Sequence, residues 1–264
     1  MFIHRSGLLS IVIGSVSVII VWHLIVTLTG VPAFILPAPA SVLSTVINQF
    51  SMLIQHSLIT ATEILSALLL GTLLGIVSAT GLALYTPARR WALPLMVISQ
   101  SLPVFALAPL LTLWFGYGMG SKIIMATLII YFPVTAATFD GLRQTSHSMI
   151  DLARTMNAST LSILVHIRLP AALPSIGSGI RVATSVAPIG AVVGEWVGSS
   201  GGLGFLMLQA NGRMQTDLMF AALFCLCLMA YSLYSLISYL LDRALYWHHD
   251  STELLINQTP DRIS

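Results

Sequence analysis

The chain of 264 residues is 56% hydrophobic and only 8% charged, and its mean hydropathy is +0.92. Because a soluble domain carries about 25% charged residues, this composition excludes that class and predicts an integral membrane protein. The net charge of +2 says little by itself, and no nucleic-acid partner is expected. The apolar segments predict an all-α polytopic fold of about six transmembrane helices in a single domain, residues 1–264.

The first predicted span is Leu8–Thr29, an almost purely aliphatic run preceded by Arg5. A secretory signal peptide is the competing interpretation, because Ala38-Pro39-Ala40 offers a small-residue triplet downstream. The apolar run exceeds a usual signal core and the triplet lies well past its end, so we favour a retained span. His23 within it has no second His or Cys nearby, and no metal or cofactor is predicted.

Val31–His56 contains no Lys or Arg and is predicted to be a loop. Within it, LPAPASVLSTV indicates a proline-defined turn and a short helix with Ser41 as its N-cap. The second span, Ser57–Tyr85, follows. Small residues recur along it at every fourth position and allow close approach of another helix: Ala67, Gly71 and Gly75.

Glu63 lies in this second span, where a carboxylate at the bilayer centre costs about 2.5–3.5 kcal/mol, so it should face the bundle or an aqueous cavity. One interpretation is a pore-lining or proton-linked group. The other, which we favour because Glu63 lies at a shallow depth, is a carboxylate near the interface satisfied by Thr60 or Thr62.

The third span, Trp91–Phe115, carries Pro103 and Pro109, which bend a helix and are tolerated where neighbours pack it or where it lines a cavity. Its polar pair, Gln100 and Ser101, joins Glu63 as the candidates for the translocation path. Hydrogen bonds to neighbouring helices explain the pair equally well.

Gly116–Lys122 is glycine-rich, but Ser121 separates Gly120 from Lys122, so the spacing is not that of a phosphate-binding loop. The stretch therefore predicts a flexible turn, and the chain is not expected to bind ATP. A short fourth span, Ile123–Phe139, comes next.

A polar interruption follows at Asp151–Pro170. We predict a short helix, Met149–Met156, with Asp151 in its first turn, and a left-handed Asn157 that ends it. Ser159 or Thr160 is expected to cap a new helix, and Leu169-Pro170 to break it. The exposed face of the short helix, with Leu152, Arg154 and Met156, suits the groove of another protein.

The fifth span, Ser175–Val197, is kinked by Pro188 and contains Arg181, which needs a partner or an interfacial position. Small residues form two ridges on it: Ala183, Ala187, Ala191, and Gly190, Gly194, Gly198. In the following stretch, glycines permit a tight re-entrant turn. We expect Glu195 to accept hydrogen bonds from the amides of this loop, which includes Gly202 and Gly204, and to hold its shape.

The last span is Leu218–Leu241, and its two cysteines, Cys225 and Cys227, are predicted to be buried thiols. A polar cytoplasmic tail, 243–264, ends the chain. Six spans with both termini inside leave Lys122 and Arg213 outside and Arg181 in the membrane. The inner side then holds an excess of arginines, as the positive-inside rule requires: Arg5, Arg89, Arg90, Arg143, Arg154, Arg168, Arg243 and Arg262.

The polar interruption resembles the loop signature of bacterial ABC importer permeases, E-A-A-x-x-x-G-x(9)-I-x-L-P. Ala153, Ile167, Leu169 and Pro170 match it outright. Substitutes fill the remaining positions: Asp151 for Glu, Leu152 for Ala and Asn157 for Gly. SLPVFALAPLLTLWFGYG, the Leu-Pro-x-Pro pattern and the Glu-then-Gly-Leu-Gly segment are similar to the branch that imports sulfonates, taurine, nitrate and thiamine precursors.

This resemblance implies a type I ABC importer permease fold in the bacterial inner membrane, a homodimer, two ATPase subunits and an extracytoplasmic solute-binding protein. Residues 149–170 would be the cytoplasmic coupling segment that docks into the ATPase, with the following contacts: Asp151, Leu152, Ala153, Arg154, Met156, Asn157, Ala158, Leu169 and Pro170. The Glu195 loop would be extracytoplasmic.

For the solute, FPVTAATFDGLR and MQTDLMFAAL look most like permeases for pyrimidine precursors of thiamine, with sulfonate, taurine or nitrate as alternatives. A different class, an ion-coupled secondary transporter, would need intramembrane acids, and Glu63 is the one candidate. A membrane enzyme would need a constellation of catalytic groups, and none is apparent in the sequence.

Overall fold

The computed structural model describes residues 3–85, 87, 90, 91, 94 and 103–247. This part of the chain folds into helices and contains no strand, which confirms the predicted all-α fold. A π-helical turn, Leu164–Arg168, joins two of the helices. In chain order the helices are α1 Ile3–Thr29, α2 Pro39–Asn48, α3 Phe50–Leu84, α4 Val104–Phe115, α5 Met119–Arg143, α6 His147–Thr155, α7 Thr160–Ile163, α8 Leu169–Gly198, α9 Leu203–Gly212 and α10 Thr216–Ala244.

Four described helical stretches are long and apolar enough to cross a membrane: Phe50–Leu84, Met119–Arg143, Thr160–Gly198 and Thr216–Ala244. Two shorter apolar helices, Val16–Thr29 and Val104–Phe115, lie within the first and third predicted spans. Apolar helices therefore occur in the order that the hydropathy of the sequence predicts. The fold is that of a polytopic membrane protein.

Helix α5 forms the centre of the bundle and packs between α3 and α8. It runs parallel to α3, because Gly71 lies against Ile130 and Gly75 against Val134. A Cβ atom built on Gly71 would approach Ile130 Cγ2 to 2.6 Å. The predicted ridge of Ala67, Gly71 and Gly75 is therefore confirmed as a site of close helix packing.

The second small-residue helix, α8, runs antiparallel to α5. The alanines of its predicted ridge, at positions 183, 187 and 191, are fully buried. A Cβ atom on Gly190 would lie 2.8 Å from the Cα atom of Ala126, and one on Gly194 would lie 3.1 Å from that of Lys122. These backbones touch, so the small residues predicted for this span serve packing, as expected.

The short helix predicted within Val31–His56 is present as α2. The prediction of a loop for the rest of this segment was wrong from Phe50 onward, where α3 begins. Helix α2 begins at Pro39 after Ala38, and Ser41 lies inside it rather than at its cap. A proline at the first helical position has a suitable φ and no N–H to satisfy, so it sets the start. Helix α3 then begins at Phe50, since no glycine or proline interrupts the sequence after Ala40.

The fourth span is longer than predicted, because α5 begins at Met119 and includes Lys122 in its first turns. The flexible turn is confined to the residues around Gly116, whose φ of +80° is left-handed. Helix α9, Leu203–Gly212, was not predicted. Its Leu203, Leu206 and Ala210 form a buried hydrophobic cluster with residues of α10.

The break predicted at Leu169-Pro170 is absent. Instead, α7, the π-helical turn and α8 form one continuous stretch, Thr160–Gly198. The amide of Leu169 donates to the carbonyl of Leu164, five residues earlier. This wider turn accommodates the proline near the start of α8 without ending the helix.

The contact between α5 and α8 gives a test of the packing. Gly190→Ala should lower the free energy of unfolding by about 1–3 kcal/mol, because the new methyl group meets backbone that cannot move aside. The measurement is thermal unfolding of the protein in detergent. Gly81→Ala is the matched control, since a Cβ atom there meets nothing within 4 Å. An equal melting temperature for both variants would contradict this account.

Candidate coupling segment and buried polar cluster

Helix α6, His147–Thr155, presents an apolar face to its surroundings. Met149, Leu152 and Met156, in or beside the helix, are 58%, 64% and 75% exposed. They are spaced by three and four residues and so share one side. Ala153, in the same helix, is buried, and Arg154 is exposed next to the apolar face.

Asp151 does not lie in the first turn of α6, which begins at His147 and has no acidic residue there. The predicted interaction of Asp151 with the positive end of the helix dipole is therefore wrong. Its carboxylate instead lies 3.5 Å from the guanidinium of Arg154. Both side chains are about two-thirds exposed, so the pair adds little stability and leaves both charges available to a partner.

Asn157 ends the helix in the left-handed conformation predicted for it, with φ of +60°. The amide of Ala158 donates to the carbonyl of Ala153 at 3.0 Å, and that of Asn157 donates to the carbonyl of Arg154 at 2.9 Å. These two bonds form a Schellman motif. They fix the direction in which the chain leaves α6.

The segment is also attached at its far end. The Ser159 side chain accepts a hydrogen bond from the amide of Ser162 at 3.2 Å and so caps α7, as predicted. Arg168 then reaches back across the segment: its Nε and Nη2 atoms donate to the carbonyl of Leu142, at the end of α5, at 3.1 and 2.9 Å. This bond was not predicted, because no local pattern in the sequence identifies a partner 26 residues away.

A buried polar cluster lies at the opposite end of α5. The Lys122 ammonium donates to Glu63 at 2.6 Å, and the two side chains are 7% and 0% exposed. The same ammonium donates to the Ser199 hydroxyl at 2.9 Å. The prediction that Thr60 or Thr62 hydrogen-bonds the Glu63 carboxylate was therefore wrong. The position of Glu63 on a translocation path stays a prediction.

Glu195 belongs to the same cluster and is 1% exposed. It accepts hydrogen bonds from the amides of Gly204 and Phe205, the latter at 3.1 Å, and from the Thr60 hydroxyl at 2.6 Å. These include the loop bonds predicted for it. Gly202 has φ of +111°, and a Cβ atom there would lie 2.2 Å from the Glu195 carboxyl. Only glycine fits this position.

Arg181 pairs with Asp242 near the end of α10, which supplies the partner that the sequence analysis could not name. Gln100 and Ser101 lie outside the described residues. Across the parts of the chain that the structure does describe, no group of three His, Cys, Asp or Glu residues could hold a metal ion.

A bundle of apolar helices long enough to cross a bilayer, with an exposed helix attached at one end, is the architecture of a polytopic membrane protein. Residues 71–246 match the family model of the binding-protein-dependent transport system inner membrane component. The chain belongs to this family.

Several curated proteins are similar to the chain over most of its length. It is 54% identical to a probable ABC transporter permease protein of Haemophilus influenzae, covering 86% of this chain and 93% of that protein. It is 37% identical to the riboflavin transport system permease protein RibX of Chloroflexus aurantiacus, with 86% and 85% covered. It is 34% identical to the formylaminopyrimidine transport permease protein ThiX of Halalkalibacterium halodurans, with 80% and 84% covered.

The solved structure of the MetNI methionine ABC transporter, in inward-facing conformations, shares the fold. Its TM-score is 0.63 at 20% identity, covering 75% of this chain and 96% of that one. The chain is therefore a multi-pass inner-membrane permease subunit of an ABC importer with a type I fold. It is not an enzyme, and ATP hydrolysis belongs to a separate subunit.

The anchoring of α6 can be tested through Arg168. Arg168→Met removes both donors to Leu142 but keeps an apolar stem. We expect trypsin to cut after Arg154 about tenfold faster, because losing hydrogen bonds from a charged group lets the segment open more often. His166→Ala is the control, since that ring bonds within its own helix, at Ser162. Unchanged cleavage in Arg168→Met would show that the bond does not hold the segment.

Proposed function

We propose that two copies of this chain form the translocation path for a small, near-neutral heterocycle, delivered by a solute-binding protein. Two ATPase subunits on the cytoplasmic side would drive the cycle through α6 of each copy. The observation that carries the proposal is the exposed apolar face of α6 beside the left-handed Asn157.

Docking of α6 into an ATPase groove is supported by its exposed side chains. Leu152 and Met156 form an apolar knob that water covers in the isolated chain. Burial of such a face in a partner's groove is favourable and is a common mode of helix recognition. The exposed charges of Asp151 and Arg154 border the knob and suit the polar rim of an interface.

Force transmission is supported by the way α6 is attached. Arg168 ties the segment to Leu142 at the end of α5, and Ala153 is buried. Movement of α6 would therefore be transmitted to α5. ATP binding would bring the two coupling segments together and open the path outward, and hydrolysis would reset it.

The orientation rests on the distribution of positive charge. At the α6 end of the bundle lie Arg143, Arg154, Arg168 and Arg243, whereas the opposite end has Lys122 and Arg213. Cytoplasmic loops carry an excess of arginine and lysine. This supports a cytoplasmic α6, with both termini inside and the Glu195 loop outside.

A heterocyclic solute is supported by the names of two relatives, which transport formylaminopyrimidine and riboflavin. A pyrimidine precursor of thiamine is the solute that we propose. A taurine permease of Escherichia coli is also similar, at 29% identity, so sulfonates, taurine or nitrate are the alternatives.

Asn157 gives a direct test of coupling. Asn157→Val should leave the chain inserted and bound to its ATPase but lower uptake by about tenfold or more, because a β-branched residue in the left-handed region costs about 1–3 kcal/mol and would re-aim the segment. ATP hydrolysis and uptake are measured in the same proteoliposomes. Asn157→Gly, which adopts this conformation without strain, should retain uptake. Normal uptake by Asn157→Val would refute the role given to this helix end.

The solute is best identified on the binding protein that purifies with the transporter. We expect mass spectrometry of the released ligand to detect a pyrimidine, and calorimetry to show that the binding protein prefers it to taurine by about 100-fold or more, since a site built to hydrogen-bond ring atoms rejects a solute that lacks them. Preference for taurine or an alkyl sulfonate would select the alternative. Gradient-driven uptake by the chain without an ATPase would overturn the importer mechanism.

A further inference from the structure

One face of α3 holds the turn that follows α8. His56, Thr60 and Glu63 lie on this face, spaced by four and three residues. His56 Nδ1 lies 3.0 Å from both the amide nitrogen and the carbonyl oxygen of Gly202. The Thr60 hydroxyl accepts a hydrogen bond from the amide of Leu203 at 2.8 Å. The turn, residues 199–204, is therefore attached to a helix that is distant in sequence.

A third element, helix α5, is connected to this arrangement by Lys122. Its ammonium connects α5 to Glu63 on α3, at 2.6 Å, and to Ser199 in the turn, at 2.9 Å. Ser199 in turn accepts a hydrogen bond from the amide of Gly201 at 3.0 Å. One buried cation thus links α3, α5 and the turn.

The ion pair is not an efficient way to stabilise the bundle. Burying two charges removes their hydration, and a well-packed apolar pair is often as stable or more so. Glu63 also has a second oxygen, Oε2, that is buried without a hydrogen-bond partner among the described residues. The pair would, however, regain water if the three elements separated. Such an interaction suits a contact that forms and breaks.

A cavity of about 540 Å³ lies beside the ion pair. Lys122 and Ser199 form part of its wall, together with Ile59, Gly201 and the exposed Tyr117. The turn lies directly over Ile59, because a Cβ atom on Gly201 would meet Ile59 Cδ1 at 2.8 Å. Ile59 is half-buried, so movement of the turn away from α3 would expose it further and widen this cavity.

We propose that the 199–204 turn is an outer gate and that Lys122 is the positioning residue that holds it closed. This rests on the proposed orientation and transport cycle. In the closed state Lys122 binds Glu63 and Ser199. When α5 moves away from α3 and α8, both bonds break, the charges become hydrated, and the turn opens the cavity to arriving solute.

The experiment measures how fast an impermeant maleimide labels a cysteine under the turn. Ile59→Cys is introduced after Cys225→Ala and Cys227→Ala, in cells that express the complete transporter. Lys122→Met should speed labelling about tenfold or more, because the buried Glu63 loses its partner and the turn its anchor. Lys122→Arg, which keeps the cation, should restore slow labelling. Ser199→Ala, which leaves the ion pair intact, should give an intermediate rate.

Two controls make the result specific. Arg213→Met removes an exposed cation at the same end of the bundle and should change nothing. Tyr117→Cys, a probe at a position that is already 86% exposed, should be labelled at the same rate in every background. If Lys122→Met fails to insert, Ser199→Ala decides the question, and equal Ile59→Cys labelling with and without it overturns the proposal.

A gate must also move during transport, which a purely structural contact would not do. The Ile59→Cys transporter with Lys122 and Ser199 unchanged should be labelled faster when it is trapped with ATP and vanadate. Slow labelling in the trapped state would reduce Lys122 to a structural role and overturn the proposal. Labelling of Ile59→Cys and Tyr117→Cys from the cytoplasmic side alone would instead show that the proposed orientation is wrong.

Discussion

Contact between the backbones of α5, α3 and α8 is the constraint on which the rest of this structure depends. Lipid offers no hydrophobic force to bring helices together, so they associate through close van der Waals packing. Gly71 and Gly75 let α3 pack closely against one side of α5, and Gly190 and Gly194 let α8 pack closely against the other side. Smooth helix surfaces of this kind also allow sliding without opening large voids. The same glycines therefore hold the bundle together and let it move.

Helix α5 connects the two ends at which the chain has specialised polar contacts. Its 25 residues span about 37 Å, roughly the thickness of a bilayer with part of its headgroups. At one end Arg168 binds the Leu142 carbonyl and fixes α6 to it. At the other end Lys122 binds Glu63 and Ser199. A rigid helix with a contact at each end is a direct physical route between α6 and the distant turn, and coupling energy measured across both ends would establish it.

Features set by local chemistry could be predicted from the sequence, whereas contacts between distant residues could not. The left-handed Asn157, the Ser159 cap and the small-residue ridges each follow from a few neighbouring residues. The bonds of Glu195 to the loop amides were also predictable, because these two donors lie only nine and ten residues away, whereas its bond to Thr60 was not. The Glu63–Lys122 and Arg168–Leu142 contacts join residues 59 and 26 positions apart. At such separations the same sequence is compatible with many other partners for each charged side chain. Helix limits were wrong where proline was treated as a breaker, at Pro170, or a serine as a cap, at Ser41, since each residue type also occurs inside helices.

The buried ion pair also bears on the solute. Lys122 is the charged residue among the described residues that line the cavity, and Glu63 at 2.6 Å neutralises it. In this closed state the cavity wall therefore carries no net positive charge, and the Ser199 hydroxyl and the backbone of the turn are its neutral polar groups. The cavity supplies only weak discrimination, because a few neutral hydrogen bonds distinguish heterocycles poorly from one another. Selection among them would then fall to the binding protein, and the permease would need only to be permissive toward whatever that protein delivers.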